Sequence, residues 1–441
     1  MAEIRPFRAL HYNLEKIAHL SSVVTQPYDK ISPAMQEAYY ERSPYNLVRI
    51  IRGRENPNDT TQDNVYTRAS QNFRNWTEDR ILISESQASL YPYYQQYEIP
   101  GQSGVKKERR GFIGLCRLED YASRVVHRHE ETLSGPKADR MELLKSTRAH
   151  FGQVFFFYID PEGIVENVLA ERTSGKPWEE LNDEYGTQHL VWQVTDTSVI
   201  DRVVRAMHEK KLVIADGHHR YETALAFRSA CRAGLTRQTS CDYVMATFIR
   251  MEAEGLTVLP THRVVHNLPA FRWATFEAEA KKAFDWENME SLNSISGLLE
   301  TMAKSAMERP TLAACAAKGT VALLRLKRDF DLSEALPGLS EAQRHLDVII
   351  LHRLILERAL GIDPQAVREE RNIRYVREWR EALNEVDSGK AQVCFLMNPT
   401  PIQAVREIAL AGEVMPQKST DFYPKLLSGL TIYWLDNPLE V

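Results

Sequence analysis

Short apolar runs alternate with amphipathic stretches along this chain, and the alternation predicts interleaved strands and helices. A strand is predicted wherever a short, mostly apolar run is bounded by turn residues. The clearest such runs are SLYPYYQQYEIP, ERRGFIGLCRL, FGQVFFFYI, HLVWQV, KLVIA, YVMATFIRM and QVCFLM. The first two are separated by GQSGVKK, which predicts a hairpin loop. Because strand and helix signals are interleaved rather than segregated, we expect an α+β or mixed α/β architecture.

Capping residues and amphipathic spacing predict where several helices begin. Residues 198–210 repeat apolar side chains at helical spacing, and Ser198 is placed to cap their first turn. Ser32 and Ser43 are each followed by proline. A serine cap with proline at the first helical position is a common start of a helix, so both pairs predict one.

The length of the chain predicts two domains, and a change from strand-like runs to helical patterns near residue 270 places the boundary between them. A chain of 441 residues exceeds one ordinary hydrophobic core. We place the first domain at 1–270 and the second, an α/β domain, at 271–441. Within the second domain, Leu346–Leu360 reads as one long helix, with Gly361 as its stop signal.

Composition adds constraints on partners and compartment. The chain is 43% hydrophobic and 26% charged, as in a soluble globular protein. Its formal net charge of −5 shows no basic excess, so nucleic acid is not an expected partner. No apolar run is long enough to cross a bilayer, and the amino terminus lacks a secretion signal. Five scattered cysteines without a CxxC pair fit reduced thiols. We therefore expect a cytoplasmic protein without a membrane partner.

The stretch VIADGHHRYETAL, residues 213–225, joins an apolar strand to a helical pattern and carries the clearest candidate chemistry. The polar residues at the junction are Asp216, Gly217, His218, His219 and Arg220. The first N–H groups of a helix lack internal partners and favour anions, and arginine suits phosphate oxygens. The aspartate fits a helix cap, a magnesium ligand or a general base. The competing interpretation is an ordinary Asp-Gly turn.

A second candidate site is HRHEETLSGPKADR, residues 127–140. Its histidines and the carboxylates of Glu130 and Glu131 are suited to bind a metal or move a proton, and Lys137 and Arg140 are suited to hold an anion. It is a weak zinc signature, because it has neither HExxH nor spaced cysteines. A solvated, charged helix face explains the same residues equally well.

The stretch MPQKSTDFYPKLLSGL, residues 415–430, is a third candidate. It places Lys418, Ser419, Thr420 and Lys425 in a loop stiffened by prolines, which would suit phosphate. It is not a Walker A loop, because GxxxxGK[ST] is absent. A surface loop that closes the second domain is the alternative.

Two shorter stretches complete the candidates. QPYDKIS carries Asp29, and PTHRVV carries His262 and Arg263 after a predicted strand. Each is equally well explained as a turn. No GxGxxG, GxSxG or kinase-type HRD motif occurs, so a Rossmann dehydrogenase, an α/β-hydrolase and a protein kinase are poor fits.

The combination of motifs resembles one bacterial and archaeal family, the domain of unknown function 1015 family. The motifs that carry the resemblance are RPFRAL, QPYDKIS, SPYNLVR, HEETLSGPKADR, DGHHRYETAL, LPTHRVV and MPQKSTDFYPKLLSGL. They extend from residue 5 to residue 430, which is nearly the whole chain. The combination is specific to the family, but the family name records no activity.

DGHHRYETA also resembles the GxxR-type signature of the ParB/sulfiredoxin fold, in which a strand, a turn and a helix grip nucleotide phosphates. That resemblance implies a ParB/sulfiredoxin-like nucleotide-binding core elaborated by N-terminal segments. Free serine kinases of this superfamily phosphorylate L-serine from ADP, ATP or pyrophosphate and carry a similar DGHHR stretch. Sulfiredoxins need a cysteine where this chain has His218, and ParB needs a helix-turn-helix that the sequence does not show.

The resemblance implies a kinase or related phosphotransferase that uses Mg²⁺ with ATP, ADP or pyrophosphate. L-serine is the first expected acceptor. The residues implied to hold donor phosphates are Gly217, His218, His219, Arg220, Lys137, Arg140, Lys418, Ser419, Thr420 and Lys425. The implied catalytic residues are Glu130 as the base, Asp216, which also binds magnesium, and His218. The implied substrate-binding residues are Asp29, Glu131, His262 and Arg263.

Two alternatives from other classes stay open at this point. A nucleotide-binding regulator of ParB-like fold would use the same phosphate cradle without an acceptor base. A metal-dependent hydrolase would use His127, His129, His218 and His219 as ligands. A small-molecule substrate and a nucleotide are the expected partners, and a homodimer is left open.

Overall fold

The computed structural model describes residues 1–102, 104–131, 134–231, 238–289 and 295–437. Its strands, in chain order, are β1 (Ile4–Arg5), β2 (Leu10–Tyr12), β3 (Leu82–Ser84), β4 (Tyr91–Glu98), β5 (Lys106–Arg117), β6 (Val126–His127), β7 (Ala149–His150), β8 (Val154–Tyr158), β9 (Glu179–Asn182), β10 (Gln188–Val191), β11 (Leu212–Asp216), β12 (Tyr243–Arg250), β13 (Thr257–Leu259), β14 (His262–Val265), β15 (Phe284–Met289), β16 (Thr311–Ala316), β17 (Thr320–Leu326), β18 (Ile373–Val376), β19 (Val393–Leu396), β20 (Asp421–Tyr423) and β21 (Tyr433–Trp434).

Helices alternate with these strands along the chain. The α-helices are α1 (Pro33–Arg42), α2 (Val48–Ile51), α3 (Val65–Glu78), α4 (Ser134–Thr147), α5 (Ile164–Ala170), α6 (Thr197–His208), α7 (His218–Cys231), α8 (Trp273–Ala280), α9 (Ile295–Ala306), α10 (Leu332–Ala335), α11 (Glu341–Arg344), α12 (Asp347–Ile350), α13 (Pro364–Arg368), α14 (Trp379–Asp387) and α15 (Ile402–Ala411). Short 3-10 helices cover Leu20–Ser22, Tyr28–Lys30, Tyr121–Ser123 and Ser240–Asp242, and a π-helix covers Leu351–Ala359.

The mixed α+β architecture is confirmed, and each apolar run quoted above overlaps a strand. The predicted hairpin is present, because β4 and β5 pair antiparallel. Ser103 of its loop, and Thr132 and Leu133 of the 127–140 stretch, lie outside the described residues. A ParB/sulfiredoxin-like core stays a prediction.

The chain forms two compact units. The first comprises Met1–Arg128, Thr132–Thr257 and Pro424–Val441, and the second comprises His129–Glu131 and Val258–Tyr423. Each unit has its own sheet and its own apolar core.

This division differs from the predicted domains 1–270 and 271–441 in three places, the first of which is the assignment of His129–Glu131 to the second unit. The second unit starts at Val258 because β14 pairs with β18 and β19 of that unit's sheet. The carboxyl-terminal segment belongs to the first unit, where Leu10 and Ile432 exchange backbone hydrogen bonds of 2.9 and 2.8 Å. Pairing between two segments so far apart in the chain leaves no local pattern in the sequence.

The first unit is built on a nine-stranded mixed sheet of the described residues. Its order is β6-β11-β8-β12-β5-β4-β10-β9, and β1 pairs with β5. Strand β11 runs parallel to β6 and antiparallel to β8. Phe112, Phe156 and Phe248 stack in the core beneath the sheet. Helix α6 buries Val203 and Met207 in the same core, as its spacing predicts.

Two of the predicted helix starts are wrong. Helix α6 is capped by Asp196, whose carboxylate accepts from the backbone N–H groups of Ser198 and Val199. Ser43 ends α1 instead of starting a helix, and its hydroxyl accepts from the N–H of Tyr45 at 3.1 Å. The capping patterns therefore located a helix boundary in both places. They did not reveal that Ser43 follows the end of a helix, or that the cap of α6 lies two residues before Ser198.

The second unit contains a six-stranded antiparallel sheet with the order β15-β17-β16-β19-β14-β18. Helices α9 and α14 pack on it. The predicted helix over Leu346–Leu360 is present as α12 followed by the π-helix. Gly361 follows with φ = +69°, the left-handed conformation expected of a helix stop.

The cysteine prediction is confirmed, because Cys116, Cys231, Cys241, Cys315 and Cys394 all carry free thiols. No helix in the described part of the chain combines the length and low polarity needed to span a membrane.

The start of α1 provides a test of the local assignments. The Ser32 hydroxyl accepts from the N–H of Met35 at 3.2 Å, as the sequence predicts. We expect Ser32→Ala to lower the free energy of unfolding by about 1 kcal/mol, because a helix N–H loses its partner. Ser32→Asp keeps an acceptor and should stay near the wild type. Urea unfolding followed by circular dichroism measures both, and equal stability of the two variants would contradict the cap.

Candidate functional site

Strand β11 meets helix α7 through a turn that requires glycine. Strand β11 ends at Asp216, and its register against β8 shifts between Ile214 and Asp216, as in a β-bulge. The next residue, Gly217, has φ = +88°, in the left-handed region that other residues rarely adopt. A Cβ on Gly217 would also lie 2.9 Å from the guanidinium of Arg220. The turn therefore needs glycine for its backbone conformation and for its space.

Arg220 is held by contacts to both ends of its guanidinium. Nη2 donates to Oδ2 of Asp216 at 3.2 Å, and Nη1 donates to the carbonyl of Gln153. A Cβ on Gly152 would lie 3.2 Å from Nη1, so the backbone approaches this arginine closely. Such anchoring fixes the planar fork in one orientation, which favours recognition of phosphate oxygens.

Asp216 is an ionised carboxylate surrounded by positive charge. Desolvation raises its pKa, but the charges of Lys425, Arg220, Lys30 and His218, in that order, outweigh it. The pKa of Asp216 therefore lies well below its ordinary value. With 28% of its side chain exposed, the carboxylate remains within reach of a ligand.

The two lysines come from segments far apart in the sequence. Lys30 ends the 3-10 helix Tyr28–Lys30 in the QPYDKIS stretch. Lys425 lies in the carboxyl-terminal segment, where its carbonyl accepts from Nε2 of Gln95 at 2.9 Å. The charges of both lysines act on Asp216, so two of the stretches singled out in the sequence lie near the β11–α7 junction within the first unit.

A buried polar network in the sheet fixes these segments. His189 is fully buried; its Nδ1 lies 2.6 Å from the Tyr93 hydroxyl, and its Nε2 lies 3.2 Å from Oδ2 of Asp183. Gln26, four residues before Lys30, donates to the same carboxylate oxygen at 3.2 Å. Burial lowers the pKa of His189, which favours a neutral ring that accepts on one nitrogen and donates on the other.

Arg109 completes the network on the side of the carboxyl-terminal segment. Its guanidinium is almost fully buried, and it donates to Oε1 of Gln95 and to the carbonyl of Pro424. Desolvation lowers its pKa to about 10, so the side chain stays charged at neutral pH. The backbone on either side of the Pro424–Lys425 bond is therefore tied to strands β4 and β5.

The start of α7 supplies further donors. The helix has 14 residues and begins at His218, so the first backbone N–H groups point out of its end. His218 is buried, and His219 is half-buried. The helix dipole adds partial positive charge at this end.

A small cavity of about 60 Å³ adjoins Arg220. Its polar lining consists of Tyr28, Arg140, His150, Arg220, Thr223 and Ser428. The hydroxyl of Thr223 and both amide atoms of nearby Gln153 are buried and have no hydrogen-bond partner among the described residues. Unsatisfied buried polar groups are rare, and a bound water or ligand group is one explanation.

Other candidates in the first unit have protein partners. Arg140 stacks over the Tyr28 ring at 4.0 Å and donates to Asp139. Burial and the neighbouring carboxylates raise the pKa of Tyr28 to about 12 despite that arginine. Lys137 pairs with Glu222 on α7. Asp29 is exposed.

Residues Lys418, Ser419 and Thr420 belong to the second unit, whereas Lys425 belongs to the first. The backbone N–H and the hydroxyl of Thr420 both donate to Oε1 of Glu130, each at 2.9 Å. The Ser419 hydroxyl donates to its own loop at 2.6 Å. The single phosphate-binding loop expected over residues 415–430 is therefore divided, and its two hydroxyl donors are already used within the protein.

The remaining candidates also lie in the second unit. Nδ1 of His262 accepts from the N–H of Met397 at 3.1 Å. Burial lowers the pKa of His262 to about 4, so the ring is neutral. Arg263 is buried and donates to the carbonyl of Lys418 at 3.0 Å. These contacts give both residues structural partners, and the Glu131 side chain is exposed.

The described residues contain no group of three or more His, Cys, Asp or Glu side chains placed to hold a metal ion. The histidine-based hydrolase site is therefore not assembled within that part of the chain. A magnesium ion that shares its ligands with substrate phosphates needs only one or two protein carboxylates.

Sequence reasoning missed Lys30, Gln153 and Thr223. The QPYDKIS stretch was singled out for Asp29, although it is the charge of the neighbouring Lys30 that acts on Asp216. Thr223 lies one helical turn after His219 inside the quoted DGHHRYETAL stretch, and that spacing was the available signal. Gln153 precedes a buried strand, and no sequence pattern indicated that it would lie near the site.

Comparison with known proteins establishes the family. The model of a family described as Protein of unknown function (DUF1015) matches residues 4–349. This chain belongs to that family. The resemblance noted from the motifs is thereby confirmed, and no curated protein matches the chain in sequence.

Several solved structures resemble the chain weakly. A conserved hypothetical protein from Pyrococcus furiosus has 11% identity and a TM-score of 0.36, and the match covers 71% of this chain and 93% of that one. A free serine kinase variant in complex with ADP has 11% identity and a TM-score of 0.37, with 76% and 98% covered. SbnI with a C-terminal truncation, from Staphylococcus aureus, has 11% identity and a TM-score of 0.36, with 73% and 87% covered. Similarities at this level assign no activity to the chain.

The glycine turn yields a direct test. Gly217→Ala should lower the free energy of unfolding by about 1–3 kcal/mol, because alanine is strained at positive φ and its Cβ meets Arg220. Gly175→Ala is the matched control, since a Cβ there meets nothing within 4 Å. Chemical denaturation measures both variants. Equal stability of the two would mean that the turn adapts without glycine.

Proposed function

We propose that the protein is a phosphotransferase that binds the phosphates of ATP, ADP or pyrophosphate at the β11–α7 junction of the first unit. It transfers a phosphoryl group to the hydroxyl of a small molecule, and L-serine is the first acceptor to test. One observation carries the proposal: Arg220 pairs with the carboxylate of Asp216 just before the start of helix α7, where the charges of Lys425 and Lys30 also act on that carboxylate.

The charges at the junction favour a polyanionic ligand. Lys425, Arg220 and Lys30 all act on the Asp216 carboxylate, and Arg220 pairs with it directly. The helix start adds partial positive charge. These charges would attract a phosphate group, whose oxygens would accept hydrogen bonds from the outward-pointing N–H groups.

Each element of the junction has a separate task in binding that ligand. The anchored fork of Arg220 matches two phosphate oxygens, whereas Lys30 and Lys425 act as flexible point charges. His218 and His219 add ring donors at the helix start. Phosphoryl transfer depends mostly on positioning and charge stabilisation, which such a cluster supplies.

A magnesium ion would need the donor phosphates as further ligands here, because the cations around Asp216 repel it. Asp216 is ionised and partly exposed, and a carboxylate oxygen is a ligand that Mg²⁺ prefers. Bound together with the donor phosphates, Mg²⁺ would neutralise charge on the transferred group. Asp216 would hold it, and the neighbouring cations would keep that carboxylate ionised.

The proposal assigns Glu130 as the base that takes the proton of the acceptor hydroxyl. In the transfer, the acceptor oxygen bonds to phosphorus while the bond from phosphorus to the donor's bridging oxygen breaks. Two hydrogen bonds from Thr420 orient the Glu130 carboxylate within the second unit. Glu131 is the second candidate for this role.

Binding tests the phosphate site first. We expect Arg220→Ala and Lys425→Ala each to weaken the affinity for ATP, ADP or pyrophosphate by about ten- to a hundredfold, because a hydrogen bond to a charged group contributes about 1.5–3 kcal/mol. Lys145→Ala is the control, since that lysine is exposed and pairs with Glu142 on α4. Isothermal titration calorimetry gives the affinities. Unchanged affinity in both site variants would make the junction purely structural.

Turnover tests the chemistry. Glu130→Gln should bind nucleotide like the wild type and form phosphorylated product about 10²- to 10⁴-fold more slowly, because a general base is lost. Glu142→Gln, an exposed carboxylate on α4, should leave the rate unchanged. Full activity in Glu130→Gln would remove its role. Nucleotide binding without product from any hydroxylated acceptor would instead indicate a regulator that performs no chemistry.

A further inference from the structure

A cavity of about 600 Å³ lies in the second unit, at one end of its six-stranded sheet. Residues 306–310 after α9, residues 397–401 after β19, and helices α11, α12 and α15 form its walls. Small-molecule sites in proteins commonly have volumes of about 300–1,000 Å³. The cavity is therefore large enough for a small metabolite, and it is separate from the residues of the proposed phosphate site.

The carboxylate of Asp347 is held in the wall of this cavity. Nδ2 of Asn398 donates to Oδ2 of Asp347 at 3.3 Å and to the carbonyl of Thr311 at 2.8 Å. Asn398 thereby orients the carboxylate without neutralising its charge. Burial raises the pKa of Asp347 to about 6, against the hydrogen bonds that lower it. At neutral pH the group is mostly ionised, and a nearby cation would stabilise that form.

The arginines in the cavity wall are engaged elsewhere. Arg263 is 2% exposed and donates to the carbonyls of Thr261 and Lys418. Arg309 donates to Oδ2 of Asp285 at 2.6 Å and to a backbone carbonyl at 3.0 Å. Neither arginine is placed to serve as the counter-ion of Asp347.

Further carboxylates line the same cavity. Glu341 and Glu407 project from α11 and α15, and both residues are exposed. His345, also exposed, is the titratable group beside them. With Glu308 and Asp347, four carboxylates line the cavity against the two arginines, so the formal charge of the lining is −2 and favours a cation over an anion.

Part of the lining is apolar. Leu346, Val348, Met397 and Pro310 contribute hydrocarbon surface, and Met307 at the rim is 84% exposed. An exposed methionine beside a cavity offers a flexible apolar contact. The combination suits a ligand with a charged end and a short hydrocarbon body.

We propose that this cavity binds a small organic cation, a primary amine on a short hydrocarbon stem, with the Asp347 carboxylate as its counter-ion. The ammonium group donates to Asp347, and the stem packs on the apolar side of the cavity. This site is independent of the phosphate site in the first unit.

Matched ligand pairs test the proposal on the full-length protein. Phenethylamine and cadaverine are the probes, and 2-phenylethanol and 1,5-pentanediol are their uncharged counterparts. We expect both amines to bind at least tenfold more tightly than the matching alcohols at pH 7.5, because only the amines carry the charge. Ligand-observed NMR titration gives the affinities.

Two variants locate the binding. Asp347→Asn should weaken amine binding at least tenfold and leave alcohol binding unchanged, whereas Asp329→Asn, an exposed aspartate after β17, should change neither. Ala404→Trp fills the cavity from α15 and should abolish binding with every charge retained. Circular dichroism checks the fold of each variant. Three results would overturn the proposal. The first is equal affinity for amines and alcohols, and the second is amine binding that persists in Ala404→Trp. The third is that neither amine binds.

Discussion

The candidate site depends on holding several cations around one carboxylate. Lys425, Arg220 and Lys30 all lower the pKa of Asp216, so three like charges act on one carboxylate. The arrangement persists because the backbone, rather than the charges, fixes the positions. Gly217 allows the turn that brings Arg220 back to Asp216, and the carbonyl of Gln153 anchors the far end of the guanidinium.

The lysines depend on groups buried in the sheet. Arg109, 1% exposed, ties the carbonyl of Pro424 to the Gln95 side chain, and Gln95 in turn ties the carbonyl of Lys425. Burying a charged group is costly, and buried ion pairs often contribute little net stability. We infer that the main effect of Arg109 is to position the backbone that carries Lys425.

The sequence predicts the parts of the site that neighbouring residues form, but not the parts that distant residues form. The junction from Asp216 to Arg220 was predictable, because strand, turn and helix are contiguous and each leaves a pattern within a few residues. Lys30 was not predicted, and Lys425 was predicted to bind phosphate only as part of one loop with Lys418, Ser419 and Thr420. The positions of both lysines depend on hydrogen bonds across the sheet, which leave no local pattern. Thr420 shows the same limit: its donors looked suited to phosphate, but a distant carboxylate takes them both.

The net charge of the whole chain does not indicate the local charge at either candidate site. The value of −5 averages a cationic junction in the first unit with a carboxylate-lined cavity in the second. A low average argues against an extended basic surface, such as nucleic acid requires, but it places no limit on a cluster of a few side chains. The charges within a few ångströms of a ligand decide which class of ligand binds. On the proposed assignments, the cations of the first site would favour phosphates and the carboxylates of the second would favour amines, although both sites belong to one mildly acidic chain.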